Sequence, residues 1–240
     1  MTARETTRDD GRDAGRFARG ELQLILPAQR APAPGGGTHA VAFAGAAGGF
    51  VYVPPTRAAD APGPVLVLLH GAGGQASPTL GLVQPFAEQQ QLLLLAPQSA
   101  GGTWDLIRGE LGPDVDNLER MLDWAAARFA IDPRHRAIGG FSDGASYAIS
   151  LGLANGELFD AVLAFSPGFA AGPAVRGKPR VFVSHGTRDA VLPIDRCSRT
   201  LVPRLRRLGY DVTYVEFDGP HTVPPDIAAR ALAWWLSPRP

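Results

Sequence analysis

The chain carries one cysteine, Cys197, among its 240 residues. An internal disulfide framework is therefore excluded, and the usage fits a reducing compartment, the cytoplasm. It carries no surplus of either charge, with Lys plus Arg and Asp plus Glu at 23 each. No overall field draws it to nucleic acid or to an anionic membrane, so a small molecule is the expected partner. No segment approaches the roughly 18 consecutive apolar residues of a membrane span. There is no H-E-x-x-H and no paired Cys/His cluster, so neither a metal nor another cofactor is expected. The glycine-rich loops lack the Lys-Ser/Thr of a P-loop and the G-x-G-x-x-G spacing, which argues against a nucleotide.

What is present is material for one substantial core. Apolar residues make up 45% of the chain, with 29 glycines and 22 prolines as punctuation, and a single domain over residues 21–240 is expected. Residues 1–20, rich in arginine and acidic at Glu5, Asp9, Asp10 and Asp13, have no apolar core. They read as a solvated tail rather than a secretory signal or an organelle presequence. Short β-prone runs at Glu21 to Leu26, His39 to Phe43 and Gly49 to Val53, separated by Pro- and Gly-rich connections, predict an antiparallel opening to a sheet. Val65 to Leu69 and Leu92 to Ala96 are continuous apolar runs of the kind buried on both faces. A helix is expected from Ser77 to about Gln91, another from about Pro113 to Phe129, and others over Ile194 to Leu208 and Pro225 to Leu236. Further strands are expected at Phe159 to Phe165, Arg180 to Ser184 and Val212 to Phe217. This alternation predicts an α/β fold, a mostly parallel sheet with helices on both faces, whose ligand lies beyond the carboxyl ends of the strands.

The stretch that organises the chain is Arg136 to Ser146, a short apolar strand that runs through Gly140-Phe-Ser142-Asp-Gly144 into a helix of small residues. It reads as a nucleophile elbow, in which a tight turn thrusts the serine hydroxyl out at the strand end and glycines on both flanks avoid steric collision. The same turn aims the first free N–H groups of the helix at that space.

A serine hydroxyl is a poor nucleophile at neutral pH. Ser142 needs a histidine to accept its proton and a carboxylate to hold that histidine in the right tautomer. Downstream, one strand ends in His185-Gly-Thr-Arg-Asp189 and the next in Asp218-Gly-Pro-His221. Asp189 is the expected acid and His221 the expected base; Asp195 reads as a helix start, and Asp218 lies too close to His221 in sequence to orient it easily. His70 and His185 read as hydrogen-bonded turn histidines. For the oxyanion, His70-Gly-Ala-Gly-Gly74 supplies close-approaching backbone, with the Ala72 N–H as one expected donor and the Asp143 N–H as the other. Trp104, Leu106 and Phe169 are candidate cleft-lining residues.

Together, Leu69-His-Gly-Ala-Gly-Gly74, Gly140-Phe-Ser-Asp-Gly-Ala145, His185-Gly-Thr-Arg-Asp189 and Pro220-His221 resemble the α/β-hydrolase superfamily. More narrowly the chain is similar to the phospholipase/carboxylesterase group, which includes acyl-protein thioesterases. Over about Val65 to Leu236 the resemblance implies an α/β-hydrolase fold with Ser142 as nucleophile, His221 as base and Asp189 as orienting acid. The chain departs from that group at Asp143, where glutamine is common, and at Ala72-Gly73-Gly74, where Leu-Gly-Asp is common. The acyl-protein substrate is therefore not carried over. The segment between Phe165 and Arg180, with Pro167, Gly168, Gly172, Pro173 and Gly177, is too short and irregular for a large cap. The expected activity is serine hydrolysis of carboxylic esters with short to medium acyl chains. Thioester or amide hydrolysis, acyl transfer by the same triad, and a non-catalytic binding protein on the same scaffold stay open.

Overall fold

The computed structural model describes residues 13–172 and 175–237. The chain opens with a short helix, α1 (Ala14–Ala18), followed by β1 (Gly37–Phe43) and β2 (Ala46–Val53). β3 (Gly63–Leu69) leads to two short helices, α2 (Ala76–Leu80) and α3 (Gln84–Ala87), and then to β4 (Leu93–Pro97). A 3-10 turn (Asp105–Arg108) precedes α4 (Pro113–Ala126); β5 (Ile131–Phe141) runs directly into α5 (Asp143–Ala154). β6 (Ala161–Phe165), β7 (Arg180–Gly186), α6 (Ser198–Arg207), β8 (Val212–Phe217) and α7 (Pro225–Leu236) complete the chain.

The strands form one eight-stranded sheet in the order β1-β2-β4-β3-β5-β6-β7-β8. β2 pairs antiparallel with β1 and β4, and the other neighbours pair in parallel. Alternation along a strand sends successive side chains to opposite faces. In β3, Val65, Val67 and Leu69 join the core beneath α4, α5 and α6, whereas Leu66 and Leu68 join the core beneath α2, α3 and α7. All five side chains are fully buried, each worth about 1.5–3 kcal/mol of transfer free energy. A strand that is apolar at every position is thus the expected consequence of helices on both faces.

Three stretches differ from their sequence-based expectation. The helix expected over Ser77 to Gln91 is broken into α2 and α3: Gly81 caps the first, and Pro85, which lacks an N–H, stands in the opening turn of the second. Glu21 to Leu26 is extended but is not a strand, because side chains satisfy its amides. Leu22 N–H donates to Asn155 Oδ1 (2.8 Å), Gln23 N–H to Glu119 Oε2 (2.7 Å) and Ile25 N–H to Asp123 Oδ1 (3.2 Å). The expected tail falls partly on residues 1–12, which lie outside the described residues. Its remainder packs on the domain. Asp13 caps α1 through Gly15 N–H at 2.8 Å, Phe17 is buried, and the Arg16 guanidinium makes a two-pronged pair with Glu119 at 2.5 and 2.7 Å.

Between β6 and β7 the described residues contain no helix, in line with the irregular loop expected there; Pro173 lies outside the described residues. Among the described residues no helix is long and apolar enough to cross a membrane.

Candidate active site

Ser142 stands between β5 and α5 with φ 59° and ψ −121°, a left-handed backbone that costs a non-glycine residue about 1–3 kcal/mol. The surroundings impose it. Ser142 N–H donates to Phe165 O at 2.9 Å, and Ser142 O accepts from Ala145 and Ser146 N–H at 3.0 and 3.1 Å. A methyl group on Gly144 would stand 2.3 Å from Leu69 O, and one on Gly140 2.5 Å from Gly144 O, so only glycine fits at either flank. The turn is held between β3 and the first turn of α5, whose positive end favours negative charge.

Asp189 follows β7 and His221 follows β8, each on a loop beyond a carboxyl end. His221 Nδ1 lies 2.5 Å from Asp189 Oδ2. That contact assigns the proton to Nδ1 and leaves the Nε2 lone pair as the basic position. The His221 ring lies against Phe141, the residue before Ser142, with centroids 4.6 Å apart. Asp189 Oδ1 accepts Val191 N–H at 2.9 Å and Leu192 N–H at 2.8 Å. Burial pushes the Asp189 carboxyl pKa up, but the Leu192 amide, His221 and the Val191 amide outweigh it, and the net shift is down.

A second histidine reaches the same carboxylate. His185 Nε2 is 3.2 Å from Asp189 Oδ2 and 2.8 Å from Leu192 O, while Ser198 Oγ lies 2.7 Å from its Nδ1. Its side chain is 0% exposed against 13% for His221. Burial lowers the His185 pKa, which keeps the ring neutral. His185 is hydrogen-bonded as expected, but it belongs to β7 and not to a turn, because the ladder with β8 continues through Gly186; its place beside Asp189 was not anticipated. The i, i+4 spacing in His185-Gly-Thr-Arg-Asp189 is the signal that it carried. The rival acid Asp218 is 76% exposed and paired with Arg188 at 2.7 Å.

The loop after β3 passes over Ser142: a methyl group on Gly71 would lie 3.3 Å from Ser142 Cβ. In that loop Gly73 N–H donates to Gly102 O (2.7 Å) and Gly74 N–H to Gly71 O (3.0 Å). Ala72 lies between Gly71 and these two engaged amides and is exposed. His70 faces inward, its Nε2 accepting Ser99 N–H at 3.1 Å and its Nδ1 at 2.8 Å from Gly71 O, and burial lowers its pKa. Asp143 opens α5, and Thr103 Oγ1 donates to its carboxylate at 2.7 Å.

The three expected cleft-lining residues differ in exposure. Trp104 is fully buried; its indole N–H donates to His70 O at 2.8 Å and its ring stacks on Tyr147 at 5.1 Å. Leu106 is half-buried and packs against the larger core cluster. Phe169, in the loop after β6, is 39% exposed. No sequence motif pointed to the buried carboxylates Asp105 and Asp114, which tie down the loop carrying Trp104. Among the described residues no cluster of His, Cys, Asp or Glu is arranged to hold a metal ion.

The sheet order, the strained serine between β5 and α5, and the acid and histidine after β7 and β8 define the α/β-hydrolase fold. The chain resembles the phospholipase/carboxylesterase group within it. Residues 117–199 match the family model described as "Putative esterase", a stretch that holds Ser142, Asp143 and Asp189 and stops before His221. Among solved structures, esterase PE8 superposes with a TM-score of 0.62 at 23% identity, covering 83% of this chain and 96% of that one. The phospholipase/carboxylesterase from Dyadobacter fermentans DSM 18053 gives 0.61 at 18% identity over 89% of this chain and 100% of that one. The S-formylglutathione hydrolase from Staphylococcus aureus gives 0.65 at 15% identity over 86% of this chain and 100% of that one. No curated protein matches this chain in sequence.

Proposed function

We propose that the protein is a serine hydrolase of carboxylic esters with short to medium acyl chains, working through an acyl-enzyme. The observation that carries the reading is the 2.5 Å contact of His221 Nδ1 with Asp189 Oδ2, made beside the elbow that bears Ser142. The match of residues 117–199 to an esterase family model and the esterases among the structural neighbours support the same reaction class. In it, His221 Nε2 takes the Ser142 hydroxyl proton as Oγ attacks the ester carbonyl, and Asp189 stabilises the imidazolium that forms. The N–H groups of Ala72 and Asp143 receive the developing oxyanion, each worth about 3 kcal/mol to the transition state. Collapse expels the alcohol, to which His221 returns the proton. Water, deprotonated by the same imidazole, then attacks the acyl-enzyme, and expulsion of Ser142 Oγ releases the acid.

The uncapped loop between β6 and β7 supports a soluble ester as substrate. The buried lone cysteine fits the cytoplasm as the compartment. A fluorophosphonate probe, followed by p-nitrophenyl esters and thioesters of graded length, tests the proposal. Labelling that disappears in Ser142→Ala, with turnover best at short and medium chains, is expected. A wild-type chain that takes no label, or one active only on aggregated long-chain triglycerides, would overturn it.

A further inference from the structure

The two candidate oxyanion donors sit on separate elements, Ala72 in the loop after β3 and Asp143 in the first turn of α5. Neighbouring residues of one segment bind beside each, at the residue after Ala72 and at the side chain of Asp143. In the loop after β4, Gly102 O accepts Gly73 N–H at 2.7 Å, and Thr103 Oγ1 donates to Asp143 Oδ2 at 2.7 Å. The same segment grips His70, at the root of the β3 loop, from two sides: Trp104 Nε1 donates to His70 O (2.8 Å) and Ser99 N–H to His70 Nε2 (3.1 Å).

The segment is itself fixed by a reciprocal pair of buried carboxylates. Asp114 Oδ2 accepts Asp105 N–H at 2.7 Å, and Asp105 Oδ2 accepts Asp114 N–H at 3.0 Å. Asp114 Oδ1 also holds Ala100 N–H (2.7 Å), and Tyr147 O–H, from α5, donates to Asp105 Oδ1 (2.8 Å). Burial raises the Asp114 pKa, although amide N–H groups from Ala100 and Asp105 oppose the rise.

We propose that Thr103 is a positioning residue for the oxyanion hole, setting together with Gly102 the spacing of the Ala72 and Asp143 amides. The inference rests on the ester-hydrolase reading above. Preorganised donors contribute only when they already stand where charge develops, and displacements well under 1 Å at a reacting centre are felt in rate. Thr103 also turns the Asp143 carboxylate aside. Released, that negative charge would be free to swing toward an oxyanion held by its own amide. Both consequences of losing the hydroxyl slow the same step.

The test compares Thr103→Val, isosteric but without the hydroxyl, with Thr103→Ser. Measured are kcat and KM on p-nitrophenyl butyrate and inhibition by an aliphatic trifluoromethyl ketone, whose hemiketal oxygen mimics the oxyanion. Thr103→Val should lower kcat about tenfold with KM nearly unchanged, and weaken the ketone by a similar factor. Thr103→Ser should restore most of both. If Thr103→Val fails to fold, Asp143→Ala removes the same bond from its other end; lacking the carboxylate, it should show a smaller loss, in kcat and ketone binding together, that reports the spacing alone, and with both variants folded the double variant should match Asp143→Ala. Wild-type kcat in Thr103→Val, or a fall in kcat without weaker ketone binding, would overturn the proposal. Turnover surviving in Ser142→Ala would instead overturn the ester-hydrolase reading, so the two failures are distinguishable.

Discussion

His185 and His221 both direct a ring nitrogen at Asp189 Oδ2, at 3.2 and 2.5 Å; His185 stands in the last residues of β7, and His221 on the loop after β8. Around His185 the remaining positions are filled: Ser198 Oγ faces Nδ1, Leu192 O faces Nε2, and the side chain is sealed from solvent. Ser198, His185 and Asp189 thus form a serine, histidine, carboxylate string that no substrate can reach. His221 is closer to the carboxylate, leans on the residue before a strained serine and keeps an exposed edge. The composition of a triad is therefore present twice around one carboxylate. Access and the strain of the serine backbone distinguish the version to which the proposed chemistry is assigned.

The largest test of that contrast exchanges the two rings for inert side chains. His221→Ala should lower kcat on a p-nitrophenyl ester by about a thousandfold or more. His185→Gln, which keeps a donor toward Asp189, should hold kcat within about tenfold; the reverse ranking would exchange the roles assigned to the two histidines. Asp189→Asn should come next, with a loss of about a thousandfold. It should also lower Tm, since its oxygen can keep Val191 N–H and Leu192 N–H but its NH2, in place of Oδ2, faces the donors His221 Nδ1–H and His185 Nε2–H. Wild-type turnover in that variant would return Asp218 to consideration. A smaller effect is expected on stability, where His185→Leu leaves the Ser198 hydroxyl without its acceptor and should cost about 1–3 kcal/mol in urea unfolding. The smallest concerns pH. Burial lowers the folded pKa of His185 and His70 from an ordinary 6.5, so below that value the unfolded chain takes up protons that the folded rings do not. Their contribution to stability is complete above about pH 6.5 and declines as pH falls below it. A weaker pH dependence of unfolding free energy between about pH 6.5 and 5 in His185→Gln would confirm this, and an unchanged slope would refute it.

Much of the arrangement is written in local patterns. Gly140, Gly144 and the apolar strand before them announce a tight turn, because any side chain would strike Leu69 O or the helix backbone. The loops that carry Asp189 and His221 follow from where apolar runs stop. What the chain does not announce is which way a side chain in a loop turns. Trp104, among glycines, has the look of an exposed wall, yet its indole N–H and ring are both used inward, on His70 and Tyr147. Glu21 to Leu26 has strand composition, but its amides meet Asn155, Glu119 and Asp123, between 96 and 133 residues away in sequence, and no local pattern encodes such partners. The split between α2 and α3 was foreshadowed by Gly81 and Pro85, whose combined effect outweighed the helical periodicity around them.

The amino-terminal strap has a practical consequence. Arg16 meets Glu119, a residue of α4 only 3% exposed, and Gly20 O accepts from Asn155, which caps the far end of the helix that begins after Ser142. A chain shortened past Gln23 would take away a cation and two amides from polar groups at the back of the domain. It should lose solubility or melting temperature before it loses turnover, so shortening this protein for crystals or for fusion should leave residues 13–23 in place.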